Sequence, residues 1–127
     1  MPHDIDVNRI VRLLERESIV SRVDILLVDE IEKRGFYKLR VSLLPSRYKL
    51  DIKFIRMEKE LLYSYQFYEQ QALARWDNEP HYPDLENYPH HFHHPDGKVE
   101  QSNLSGKPAK DLAIIFVSLA KLITKGQ

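Results

Sequence analysis

The sequence predicts an α+β protein: an antiparallel meander of about five strands, packed on one face by N- and C-terminal helices, with a long loop rich in proline and histidine. Three observations support this fold. Apolar residues recur at helical spacing near both ends of the chain, and alternating segments joined by short turns lie between them. Five of the six histidines and four of the seven prolines fall between Asp77 and Pro95. Strands joined by turns of a few residues pair as antiparallel neighbours, because parallel neighbours need long crossovers.

The two helices are predicted from apolar residues on one face. The first spans about Ile5 to Glu17, with Asp4 or Asp6 as N-cap and no glycine or proline inside. The closing helix starts near Pro108, a residue suited to the first helical turn. Its apolar stripe runs to the end of the chain, so we expect it to cover the apolar face of the sheet.

The five strands differ in how their apolar residues are distributed. Val20 to Glu32 is apolar on both faces, which predicts burial on both sides. Tyr37 to Leu43 and Tyr48 to Phe54 alternate apolar with basic residues, so each has one core face and one basic face. Leu61 to Tyr68 places aromatic residues toward the core, and Ala72 to Trp76 leads into the loop.

Composition narrows the class of protein. A chain of 127 residues is long enough for one domain with a real core. Its 19 basic and 19 acidic residues cancel, so any attraction to nucleic acid or membrane must come from local asymmetry. The absence of cysteine excludes disulfides and thiolate chemistry. Neither a signal peptide nor an apolar span of membrane length is visible, so we expect a soluble, cytoplasmic protein.

One local asymmetry lies in the second and third strands. Between Lys33 and Lys59 there are nine basic and two acidic residues. The basic residues predicted on the polar face of these strands are Lys38, Arg40, Lys49 and Lys53. Such a face can hold a phosphate backbone. The alternative is a solvated face whose lysines protect the sheet against aggregation.

The segment after Trp76 is predicted to be an ordered functional loop. Prolines at 80, 83, 89 and 95 remove backbone donors and disfavour helical geometry, so the segment is predicted to be neither helix nor inner strand. Loops of about 20 residues are uncommon in compact domains unless they are functional or disordered. The aromatic residues Trp76, Tyr82, Tyr88 and Phe92 favour order.

Three functions fit the residues of this loop. In the first, histidines and Asp77 bind a transition metal such as zinc, nickel or iron. Besides Asp77, the candidate ligands are His81 and the later histidines His90, His91, His93 and His94. Adjacent histidines in an extended segment point to opposite sides, which leaves pairs such as His91 with His93. The alternative metal site is therefore written as His81, His91 and His93. In the second, the loop stiffens a surface that binds a partner and has no catalytic role.

In the third, histidine moves protons and Arg75 supplies a fixed positive charge for a phosphate. This combination suits a ribonuclease that needs no metal cofactor. The predicted proton carriers are His81, His90, His91 and His93. Asp77 and Asn78 are predicted to orient them.

Two motifs resemble the signature of the TumE family of toxins. Arg75-Trp76-Asp77-Asn78-Glu79-Pro80-His81 is similar to an RxDNxPHH stretch, and Pro89-His90-His91-Phe92-His93 is similar to a PHHxH stretch. Tyr82 stands where the family has the second histidine of the first motif. The resemblance implies a toxin paired with a helix-turn-helix antitoxin and, by analogy to other toxins, an RNA target. We therefore expect a toxin that cleaves RNA, with a non-catalytic metal-binding or partner-binding module as the alternative.

Overall fold

The structure is a computed structural model that describes residues 4–126. Two helices flank seven strands along the chain. The elements are α1 (Val7–Glu15), β1 (Val20–Ile31), β2 (Arg34–Leu43), β3 (Lys49–Arg56), β4 (Leu61–Tyr68), β5 (Ala72–Asp77), β6 (His91–His93), β7 (Val99–Gln101) and α2 (Pro108–Lys125).

The strands form one open antiparallel sheet in chain order, from β1 at one edge to β7 at the other. Each strand pairs with the next one in sequence, as short connections favour. The α+β class, the meander and the helices at both ends are therefore confirmed. The sheet has two strands more than predicted, β6 and β7.

The hydrophobic core lies on one face of the sheet. Alternate residues of the central strands point to this face, among them Leu39, Ile52 and Tyr65, all nearly inaccessible to solvent. α2 packs on the same core through a stripe that includes Ile115 and Leu119. The opposite face of the sheet carries the polar members of the alternation and is the face on which the predicted basic residues lie.

α1 is shorter than predicted because its cap lies inside the predicted range. The side chain of Asp6 accepts a hydrogen bond from the backbone N–H of Arg9 at 3.1 Å, which sets the N-terminus. Ile10 and Leu14 are the buried residues of this helix.

The prediction that the whole proline-rich segment is a loop was wrong for residues 91–93. His91–His93 forms β6, an inner strand that pairs with β5 on one side and β7 on the other. Pro89 and Pro95 lie outside these three residues, so every residue of β6 keeps its backbone donor. The loop that connects β5 to β6 therefore spans residues 78–90 only.

The prediction that the first strand is buried on both sides was also wrong. β1 is an edge strand, and the burial pattern along it is mostly exposed. In a meander the first strand has a neighbour on one side only. α1 lies against β1, but residues 25–31 of this strand remain exposed. An apolar run by itself cannot distinguish a buried inner strand from an exposed edge.

The loop 78–90 is held in place by a side-chain amide. Asn87 adopts a left-handed backbone conformation with φ of 61°, which asparagine tolerates better than most residues. Its Nδ2 donates to the carbonyl oxygens of Ser102 and Leu104 at 2.6 and 2.9 Å. These bonds tie the loop to the segment before α2.

Candidate active site

Four side chains predicted from the loop motifs meet on the polar face of the sheet. β5 carries Arg75 and Asp77, and β6 carries His91 and His93 at the same spacing. Alternate residues of a strand point to the same face. The register pairs Arg75 with His93 and Asp77 with His91. We call these four residues the Asp77 cluster.

The carboxylate of Asp77 lies at the centre of the cluster. Its Oδ1 is 2.7 Å from His91 Nε2, and its Oδ2 is 3.2 Å from His93 Nε2 and 2.9 Å from Arg75 Nε. The backbone N–H of Glu79 also donates to Oδ1 at 3.1 Å. Only 3% of the Asp77 side chain is exposed. Protein groups rather than bulk water therefore stabilise its negative charge.

His91 is buried and has an acceptor at each ring nitrogen. Its Nδ1 lies 2.9 Å from the carbonyl oxygen of Pro89. A carbonyl oxygen can only accept, so Nδ1 carries a proton. Nε2 lies 2.7 Å from the Asp77 carboxylate, and two such electronegative atoms at this distance need a cation between them, in the simplest case a proton. The geometry therefore places a proton in the hydrogen bond that joins His91 Nε2 to Asp77 Oδ1.

Arg75 and His93 form the open side of the cluster, with 39% and 30% of their side chains exposed. Burial lowers the pKa of His93, and the nearby His91 and Arg75 lower this pKa further, whereas Asp77 raises it. The net lowering keeps the His93 ring neutral at pH 7 and able to accept a proton.

Arg75 is held close to Asp77 by charge rather than by a well-aligned hydrogen bond. Arg75 Nε is buried, and its N–H has no acceptor of suitable geometry among residues 4–126, although Asp77 Oδ2 lies at 2.9 Å. The exposed part of the Arg75 side chain therefore lies outside Nε, toward solvent. A cation in this position can attract an anion to the open side of the cluster.

The predicted basic residues share this face of the sheet. The register across β2 to β6 aligns five residues in one row: Lys38, Lys53, Ser64, Asp77 and His91. Neighbouring strands are about 4.8 Å apart, so Lys53 lies about 10 Å from Asp77 along the row. The basic strand face and the Asp77 cluster therefore form one continuous surface.

The four basic residues differ in their partners. Arg40 binds Asp51 through two hydrogen bonds of 2.9 and 3.0 Å, and Lys49 Nζ donates to Ser42 Oγ at 3.2 Å. Lys38 and Lys53 are exposed. The positive charge of Arg40 is partly compensated by Asp51, so Lys38 and Lys53 are the better placed pair for an anionic ligand.

Asn78 lies beside Asp77, but its amide binds the backbone of β4. Its Oδ1 accepts from the Tyr63 N–H at 2.8 Å, and its Nδ2 donates to the Leu61 carbonyl oxygen at 2.8 Å. Both polar atoms of the buried amide are thus used to fasten the start of the loop to β4.

His90 lies apart from the Asp77 cluster, because successive residues of an extended segment point to opposite sides. Its Nδ1 is 2.8 Å from the Tyr63 hydroxyl oxygen, and the two rings stack. Burial lowers the pKa of His90. The ring lines a cleft of about 820 Å³ bounded by α1, the start of β4 and the N-terminus of α2.

His81 and His94 flank the cluster without joining it. The His81 side chain is 65% exposed, and its Nε2 lies 3.5 Å from a Glu79 carboxylate oxygen. His94 Nε2 is 2.8 Å from Glu100 Oε1. The structure therefore brings two of the five loop histidines to Asp77.

Two further residues at the site had not been assigned a role from the sequence. The ring of Tyr82 lies 4.9 Å from that of His91 and 6.2 Å from that of His93, measured between centroids. Ser64 is the β4 neighbour of Asp77. The alternation of β4 was sufficient to place Ser64 on the polar face, whereas Tyr82 reaches the cluster only through the path of the loop.

Asp77, His91 and His93 also form a group suited to a metal ion among the described residues. Their ligand atoms all lie within 4.8 Å of one another. All three were among the predicted ligands, whereas His81 lies outside this group. The hydrogen bond from His91 Nδ1 to Pro89 orients the ring with Nε2 toward the other two groups, an arrangement common for histidines that bind metal.

The fold and site together define a small α+β protein with its core on one face of a meander and a carboxylate, two histidines and an arginine on the other. A family model described as toxin TumE matches residues 10–123. This match covers most of the chain, from α1 into the last turns of α2, and the chain belongs to the TumE toxin family. It is thus the toxin of a toxin-antitoxin system, which implies an antitoxin partner.

Two other comparisons found no relative, since neither a curated protein nor a solved structure matches the chain. Neither helix in the described part of the chain has the length and apolar character needed to cross a membrane.

Proposed function

We propose that this TumE toxin cleaves RNA at the Asp77 cluster without a metal ion. The observation that carries the proposal is the register of β5 and β6, which assembles Arg75, Asp77, His91 and His93 beside the basic strand face. A proton acceptor, a fixed cation and an adjoining surface for phosphates are the components that this reaction needs.

RNA binding is assigned to the basic face of β2 and β3. Lys38 and Lys53 contact the phosphate backbone, with Arg40 and Lys49 beside them. Such contacts are independent of sequence and weaken as salt rises, because binding releases counterions. An RNA strand that crosses the sheet from Lys53 to Asp77 brings a phosphate to the open side of the Asp77 cluster.

The proposed reaction is an internal transfer at phosphorus. His93 takes the proton of a ribose 2′-hydroxyl while O2′ forms a bond to the adjacent phosphorus. The bond from phosphorus to O5′ breaks, and O5′ receives a proton. The products are a 2′,3′-cyclic phosphate and a 5′-hydroxyl. Arg75 stabilises the negative charge that develops on the phosphoryl oxygens.

The other histidines have different roles in this proposal. His81 lies across Tyr82 from the cluster and donates the proton to O5′. His91 and Asp77 position the site: the buried pair holds β6 against β5 and keeps a negative charge beside Arg75. His90 and Asn78 support the loop through Tyr63 and β4.

The test is cleavage of a short RNA by purified protein, with a matched RNA in which one ribose lacks the 2′-hydroxyl. We expect cleavage of the first, with a cyclic phosphate end, and none at the modified position of the second. The H93Q variant should lose cleavage, and the H94Q variant should keep it because His94 pairs with Glu100 outside the cluster. Cleavage at the modified position, or full activity of H93Q, would contradict the proposal.

A second candidate function is metal binding at Asp77, His91 and His93. The observation that favours it is the convergence of their ligand atoms within 4.8 Å. Arg75 beside Asp77 disfavours it, because a second cation next to the metal is repelled. The protein should be dialysed against a chelator, and its metal content and RNA cleavage measured. Loss of activity, restored by zinc, nickel or iron, would favour this candidate.

The partner is proposed to be an antitoxin with a helix-turn-helix domain, as the family resemblance implies. An RNA target would also place the action of the toxin in the cytoplasm. Co-expression with the product of the neighbouring reading frame should restore growth of cells that make the toxin.

A further inference from the structure

The edge strand β1 has an unusual surface for the edge of a sheet. It is 12 residues long and is hydrogen-bonded to β2 on one side only. Its apolar residues Ile25, Leu26, Leu27, Val28 and Ile31 are 45% to 58% exposed. Soluble proteins usually protect long edges with charge, proline or short length, because free backbone groups invite pairing with another chain.

The apolar surface extends over both faces of this edge. Val28 pairs with Tyr37 and therefore lies on the helix face, whereas Leu27 pairs with Lys38 and lies on the polar face. Phe36 of β2, also exposed, adds to the polar face beside Asp29. A strand added to β1 would thus find apolar contacts above and below the sheet as well as backbone partners.

We propose that β1 is the edge on which the antitoxin docks, through an extended segment that adds an eighth strand to the sheet. The proposal rests on membership of the toxin family, which implies such a partner. It does not rest on RNA cleavage. Main-chain hydrogen bonds would supply affinity in this mode, and alternate apolar side chains would supply specificity.

The charged residues of β1 indicate which kind of segment would pair with it. β1 contains three carboxylates, Asp24, Asp29 and Glu30, and one arginine, Arg22. Arg22 binds Asp24 at 3.0 Å, so the strand has an acidic excess toward its C-terminal end. The segment that fits is apolar and flanked by Lys or Arg. A second copy of β1 fits less well, because the two strands together would carry six carboxylates and two arginines, whereas a basic segment neutralises the acidic excess.

β1 adjoins β2, which carries Lys38, but it is distant from the Asp77 cluster. β1 and β5 are four strands apart in the sheet, which corresponds to about 19 Å at about 4.8 Å per strand. Substitutions on β1 can therefore remove antitoxin binding without contact with the Asp77 cluster. The resulting phenotype is a toxin that remains toxic and is no longer neutralised.

The experiment uses the full chain and the product of the neighbouring reading frame as the antitoxin. The variant carries I25K and L27K, which place positive charge opposite a basic segment. V117K is the matched control, because Val117 is an exposed apolar residue on the outer face of α2. Binding is measured by titration calorimetry, and amide hydrogen exchange is followed in the free toxin and in the complex.

We expect the double variant to bind on the order of 100-fold more weakly, as for loss of central apolar contacts. V117K should bind like the parent, and residues 23–31 should gain exchange protection in the complex. Circular dichroism and thermal melting report whether both variants are folded. Unchanged binding by the double variant, or protection confined to other strands, would overturn the proposal. The proposal would also be overturned if the parent chain formed a dimer that I25K and L27K abolish. A second copy of the chain, rather than the antitoxin, would then be the partner that pairs with β1.

Discussion

Asp77 Oδ1 and His91 Nε2 lie 2.7 Å apart between β5 and β6, and both side chains are buried. This contact links the candidate site to the fold. It joins the short inner strand β6 to β5. The carboxylate of Asp77 also contacts Arg75 and His93 and so fixes the positions of these two side chains. Some substitutions at the cluster should therefore reduce stability, whereas others should affect activity alone.

Asp77→Asn should lower the free energy of unfolding by about 3 kcal/mol. Removal of one partner from a buried ion pair leaves the other charge uncompensated, and such changes typically cost about 3–5 kcal/mol. Asp84→Asn in the exposed part of the loop is the control and should change stability by about 0.5 kcal/mol or less. Chemical denaturation of both variants measures the difference. A loss at position 77 no larger than at position 84 would show that the buried contact contributes little.

His93→Gln should reduce RNA cleavage by about 10²–10⁴-fold, the range for loss of a general acid or base. Because the His93 side chain is partly exposed, the free energy of unfolding of this variant should differ from that of the parent by only about 1 kcal/mol. Growth arrest and melting temperature should be measured on the same preparations. A variant that melts far below the parent would indicate a structural role for His93 instead.

Cleavage should rise with pH through the pKa of His93, because a proton acceptor must be neutral. Burial places this pKa below its usual value near 6.5, with His91 and Arg75 contributing in the same direction. The acid limb of the rate profile should therefore have its midpoint below 6.5. Arg75→Gln removes one of the nearby cations, so it should move the pKa of His93 upward. Titration of the His93 ring by NMR in both proteins tests this, and an unchanged or lower midpoint in the variant would contradict it.

Lys38→Glu combined with Lys53→Glu should weaken RNA binding and reduce its dependence on salt. Each phosphate contact that is lost lowers the slope of log affinity against log salt by about 1. Lys121→Glu lies on α2, on the helix side of the sheet. It is the charge-matched control for the single variant Lys53→Glu. Filter binding at several salt concentrations measures the slopes. Equal effects at positions 53 and 121 would indicate general electrostatic attraction rather than a binding face.

Asn78→Ala should destabilise the protein by about 2 kcal/mol. The change leaves the Tyr63 N–H and the Leu61 carbonyl oxygen without their buried partner, and each unsatisfied group costs about 1–3 kcal/mol. Asn103→Ala, at an exposed position, is the control. If Asn78→Ala abolishes cleavage while its melting temperature matches that of the control, the amide acts in the reaction as the sequence motif suggested.

The helices and the central strands could be predicted from the sequence because their signals are local. The alternation along residues 37–43 and 48–54 assigned each side chain to a face, and burial of Leu39 and Ile52 agrees with it. The same alternation predicted that Lys38 and Lys53 share the polar face, as the register confirms.

The predictions for β6 and β1 were wrong because the environment of each strand depends on residues distant in sequence. β6 has only three residues and no strand signal of its own, and it forms because β5 and β7 satisfy its backbone on both sides. β1 has a strong apolar signal, yet it lies at the edge because the sheet begins there.

The sequence alone therefore determined the family, the order of the central elements and the residue types available for chemistry. Which histidines meet was decided by tertiary structure. Five histidines occur in the segment, and the pairing of β5 with β6 brings His91 and His93 to Asp77, while the loop directs His90 to Tyr63. The physical reason is that strand register is a property of two segments distant in sequence, and a shift of one residue would point each side chain to the other face.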